Sequence, residues 1–95
     1  MKPILKEWKI DDHLKTPEER KAFLEAALEE NDPEFFAIAL GDIARAEGIS
    51  RVAQRSKIRR ENLYRAFAKG GNPTISTIMK ALQALGLRLT VASCS

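Results

Sequence analysis

The chain has 95 residues, 44% of them apolar and 31% charged, with a net charge of +3. That length closes one modest core, which argues against an enzyme with a deep cleft and a separate substrate domain. No run approaches the roughly 18 apolar residues of a membrane span and no apolar signal region stands at the N-terminus, while a single His and the lone Cys94 make a poor zinc ligand set and no intrachain disulfide, so a cytoplasmic protein without metal or cofactor is expected.

Residues 1–15 read as an N-terminal arm of mixed charge, in which Ile4, Leu5, Trp8 and Ile10 are the apolar side chains. Trp8, the only tryptophan, suits either a docking anchor on a partner or packing on the chain's own helices. Residues 16–95 read as one helical domain. Thr16-Pro17-Glu18-Glu19 carries a cap, a proline at the first helical position and the Glu of a capping box, which predicts a helix from Pro17 to about Glu30. Its apolar stripe is Phe23, Leu24, Ala27 and Leu28, and Glu18, Glu25 and Glu29 take the wet side. Asp32-Pro33 repeats the start signal for a second helix, Pro33 to about Glu47, with Phe36, Leu40, Ile43 and Ala44 inward and Gly48 as the stop.

Ser50 is the expected cap of a short third helix, Arg51 to Ser56, and a turn at Lys57-Ile58 leads into a fourth, Arg60 to Ala68. Lys69-Gly70-Gly71-Asn72-Pro73 is a loop. Thr74 then caps a fifth helix with Ile75, Ile78, Met79, Leu82 and Leu85 facing inward and Gly86 at its end. Leu87 to Ala92 alternates apolar and polar residues, a strand pattern with no partner strand in its own chain. Pairing Leu87, Leu89 and Val91 with a symmetry mate would make a two-fold homodimer; the strand could instead pair with another protein, or the last helix and the glycine loop could form the dimer contact.

Charge is unevenly spread. Residues 1–44 sum to −5, residues 45–72 to +6 and the remainder to +2. A polyanion is drawn to the middle of the chain. There the third and fourth helices have the pattern of a helix-turn-helix: Val52 and Ala53 supply an apolar anchor and a small crossing residue, Ile58 fills the turn, and Leu63, Ala66 and Phe67 form the buried side of the second helix. Arg59, Arg60, Glu61, Asn62, Tyr64 and Arg65 are left for solvent or DNA, with Arg51 at a phosphate or in solvent. An arginine fork matches guanine O6 and N7 or a phosphate, and Asn62 could pair with adenine. No serine has an activating base beside it and Gly70-Gly71 lacks the Lys-Ser/Thr of a phosphate loop, so catalysis is not expected.

The segments LKTPEERKAFLEAALEENDPEFFAIALGDIARAEGIS, VAQRSKIRRENLYRAF and GNPTISTIMKALQALGLRLTV, about residues 14–91, resemble the addiction-module antidote proteins, a branch of the lambda-repressor-like (XRE-type) helix-turn-helix family. The resemblance implies a mostly α, five-helix lambda-repressor-like domain. It implies an antitoxin that binds double-stranded operator DNA, represses its own operon and neutralises a RelE/ParE-like or HigB-like toxin. It places Ala53 at the small crossing position, Ser50 at the start of the scaffold helix, and Arg60, Glu61, Tyr64 and Arg65 among the recognition side chains. Asn72, before Pro73, falls in the family's approach to the last helix and joins the DNA-binding set. Lys57 stands where many such turns have Gly, and Arg59 where the family often has a Ser cap. The acidic first third, with Trp8 and Phe23, is the expected toxin-facing surface. The alternative is a protein that sequesters a toxin with little or no sequence-specific DNA binding.

Overall fold

The computed structural model describes residues 16–94, so the predicted arm, Trp8 included, lies outside the described residues. Five helices are present: α1 (Pro17–Leu28), α2 (Pro33–Glu47), α3 (Ile49–Ser56), α4 (Arg60–Phe67) and α5 (Ile75–Ala84).

The start of α1 is a full capping box, in which Thr16 Oγ1 accepts from the Glu19 N–H at 3.2 Å and Glu19 Oε1 accepts from the Thr16 N–H at 3.1 Å. The helix closes at Leu28, short of Glu30, because tight bonds from the Glu30 and Asn31 N–H groups and a left-handed Asn31 turn the chain towards Asp32. Asp32 Oδ1 then accepts from the Glu34 and Phe35 N–H groups, which starts α2. This second helix is the centre of the fold: Phe36, Ala37, Ala39, Leu40, Gly41, Ile43 and Ala44 are all buried. A helix apolar on so much of its circumference must be covered on several sides, and α1, α3 and α4 do so. Gly41 permits the closest approach, since a Cβ there would stand 2.8 Å from Phe67 Cβ of α4.

The third helix begins at Ile49 rather than Arg51. Gly48, at φ 111, occupies the cap position, and buried Ile49 anchors the first turn, so Ser50 is an exposed residue inside the helix and caps nothing. Lys57 takes the left-handed conformation at φ 62, and Ser56 secures the turn by donating to the Ala53 carbonyl and accepting from the Ile58 N–H. Arg59 precedes α4 with no side-chain cap, and α4 ends at Phe67, one residue short of Ala68.

The last helix opens on Thr74, whose Oγ1 accepts from the Thr77 N–H at 3.1 Å. It closes in a Schellman motif: Gly86 at φ 84 donates to Gln83 O, and Leu87 donates to Leu82 O at 2.8 Å. Three apolar residues expected to face inward do not. Ile75 is 63% exposed, Met79 50% and Leu28 53%. The packing of α5 is against α3, and its burial is concentrated at Ala81, Leu82, Ala84 and Leu85, so its first turns project past the core. No strand forms among the described residues; Leu87 to Ala92 is irregular, since none of those residues offers it a partner strand. Leu87 packs on the core, whereas Leu89 and Val91 are exposed.

Candidate nucleic-acid interface

Helix α4 is fixed from beneath. Leu63 and Phe67 are buried and Ala66 packs beside them, so the orientation of this short helix is set by α2 and α3. The other face is open: Arg60, Glu61, Asn62, Tyr64 and Arg65 are all exposed, as is Arg59 at the cap. Arg60 Nη1 reaches Ser50 Oγ on α3 at 3.2 Å, which joins the two helices across the turn at their outer edge. Lys57, Arg59, Arg65 and Lys69 make no side-chain ion pair or hydrogen bond among the described residues.

The cations on α3 are differently placed. Glu47, at the end of α2 with its side chain 12% exposed, receives Arg20 from α1 in an ion pair, Arg55 at 3.2 Å and Arg51 at 3.5 Å. Arg20 also donates to Leu85 O and Arg55 to Ala84 O, so four helices meet at one carboxylate. The sequence reading missed this hub. Its traces were there: Arg20 lies in line with Leu24 and Ala27 on the buried side of α1, and Glu47, Arg51 and Arg55 are spaced by four. Arg45 pairs with Asp42 at 3.3 Å, and burial raises the Asp42 carboxyl pKa above its ordinary value against the opposing pull of Arg45.

Asn72 is exposed but is not brought to the start of α4. It belongs to the loop after that helix, beside Asp32 and Glu34, where Gly70 N–H donates to Glu34 Oε2 at 3.3 Å. Gly71 lets this loop fold back on α4, because a Cβ there would meet Ala66 O at 2.4 Å. Phe23 is half-buried against the core, which leaves only part of its ring for a partner. Trp8 lies outside the described residues.

These features define a small five-helix protein with an exposed cationic face on α4 and its flanking turns. A family model described as "Probable addiction module antidote protein" matches residues 4–93, and an uncharacterized protein of Haemophilus influenzae is 42% identical over 87 residues, which is 92% of this chain and 90% of that one. The chain belongs to the addiction-module antidote family. No solved structure matches it. No described helix is long and apolar enough to cross a membrane.

Proposed function

We propose that this chain is the antitoxin of a type II toxin-antitoxin module, acting in the cytoplasm without catalysis of its own. In this reading α3 and α4 are the helix-turn-helix of a lambda-repressor-like domain, and the protein represses its own operon and neutralises a RelE/ParE-like or HigB-like toxin. The observation that carries the DNA-binding part is the set of exposed cations on α4 and its flanking turns, Lys57, Arg59, Arg60, Arg65 and Lys69, around a helix whose other side is locked into the core. Eight residues at about 1.5 Å each make α4 roughly 12 Å long, a rod that the major groove accommodates. Arg60, Asn62 and Tyr64 are the base-facing candidates, and Lys57, Arg59, Arg65 and Lys69 grip phosphates. Arg51 contributes less than its position suggests, because Glu47 competes for it.

The protein works as a two-fold homodimer in this reading, which sets two copies of α4 against successive major grooves. Leu89 and Val91 are available for that contact; Leu87 is committed to the chain's own core. Operator affinity measured at about 50 and about 200 mM salt tests the DNA reading, since phosphate neutralisation predicts a fall of one or more orders of magnitude. A constant that does not move with salt, or equal affinity for operator and unrelated DNA, leaves only the alternative in which the protein sequesters a toxin.

A further inference from the structure

On the open side of α4 one cation is held differently from the rest. Of those on this helix and its flanking turns, Lys57, Arg59, Arg65 and Lys69 have no side-chain partner among the described residues, and Arg60 has one. That partner is a neutral hydroxyl, since Arg60 Nη1 donates to Ser50 Oγ at 3.2 Å. Arg20, Arg45, Arg51 and Arg55 are instead held by carboxylates, which cancel charge as they orient. A hydroxyl orients and leaves the cation's charge whole. Both ends of the contact stand on fixed backbone: Ser50 follows buried Ile49 in the first turn of α3, and Arg60 opens α4, which Leu63 and Phe67 lock into the core.

We propose that Ser50 is a positioning residue for base reading, presetting the Arg60 guanidinium so that its Nε–Nη2 edge meets a guanine in the major groove. The inference rests on the DNA-binding reading and deepens it by naming the residue that aims the reading side chain and the base it takes. A guanidinium carries five N–H donors. With one Nη1 hydrogen given to Ser50, the parallel Nε and Nη2 donors stay together as the fork that matches guanine O6 and N7. Adenine presents a donor where guanine has O6, so the same fork rejects it. Order in the free protein matters as well. A long side chain loose in solvent loses rotamer freedom when DNA fixes it, and a hydrogen bond made before contact lessens that loss. Phosphate contacts need charge and reach rather than a set orientation, and the four untethered cations supply those.

The test uses the full chain with a duplex from its own promoter and an unrelated duplex of the same length. Ser50→Ala should weaken operator binding about three- to tenfold, the span of one hydrogen bond's net contribution, and change affinity for unrelated DNA less than twofold. Its salt dependence should match the parent's, because no charge is removed. Its helical content and unfolding midpoint should also match, because Ser50 is exposed. Ser50→Thr keeps the hydroxyl and should bring operator affinity back to within twofold of the parent. On an Arg60→Ala background, Ser50→Ala should change operator affinity less than twofold, since the side chain it aims is gone. Operator affinity of Ser50→Ala within twofold of the parent, or full additivity with Arg60→Ala, overturns the proposal. Equal losses on the two duplexes, with a lowered unfolding midpoint, make the bond a structural brace and overturn it too. A parent chain with no preference for the operator sinks the DNA-binding reading and this role with it, a result distinct from those three because it appears without any substitution.

Discussion

Replacing Glu47 by Gln is expected to destabilise the protein by about 3 kcal/mol, and the structure sets that magnitude. The Arg20 side chain is 9% exposed and would lose its carboxylate while keeping only the Leu85 carbonyl among its named partners. Removing one member of a buried pair typically costs about 3–5 kcal/mol, because the remaining charge stays desolvated. Arg51 and Arg55 add little, since both are more than half exposed and such pairs contribute at most about 1 kcal/mol each. Gln keeps the volume and one acceptor, which places the effect at the lower end. For a chain of this length a loss of about 3 kcal/mol corresponds to a fall in Tm of roughly 12–24 °C. Urea unfolding followed by circular dichroism measures it, and a cycle with Arg20→Met, Glu47→Leu and the double variant isolates the coupling. The double variant should recover much of the loss, because it removes both charges together. A Glu47→Gln protein within about 0.5 kcal/mol of the parent, or strict additivity in the cycle, would refute the view that this carboxylate fastens α1, α3 and the end of α5 to α2.

Arg60→Ala should lower operator affinity by about 1–3 kcal/mol and unrelated DNA affinity by less, and equal losses on both would make Arg60 a phosphate contact. Leu89→Asp should sediment as a monomer with its helical signal intact and lose most affinity for a palindromic operator; a variant that remains dimeric places the interface elsewhere. For Asp42 the raised pKa means that the folded state holds the proton more tightly than the unfolded chain, so its contribution is fully present below the ordinary value of 3.8 and is lost as pH rises through the raised one. Asp42→Asn should therefore be more stable than the parent near pH 7, with the gain shrinking towards about pH 3. Comparing the two by urea unfolding across that range checks it, and a gain that grows in acid would contradict the sign.

What the sequence determined by itself is what acts over three or four residues. The capping box at Thr16, the Asp32 and Thr74 caps and the glycine stops at Gly48 and Gly86 each depend on side chains and dihedrals adjacent to the backbone groups they satisfy, so they are legible without a fold. The buried side of α4, Leu63 with Phe67, follows from helical spacing in the same way. Periodicity tells which residues are apolar but not what covers them, and there the tertiary structure decided. Leu28, Ile75 and Met79 belong to apolar stripes yet stand exposed, because the neighbouring helix ends or passes elsewhere. Arg20 and Glu47 are 27 positions apart, and Gly41 meets Phe67 across 26. Nothing local specifies such pairs; they exist because α2 gathers α1, α3 and α4 around itself, and burial then turns a charge or a missing Cβ into a requirement. The tail shows the same division, with strand alternation written in Leu87 to Ala92 and no strand formed among the described residues, since a ladder needs a second edge that those residues do not supply.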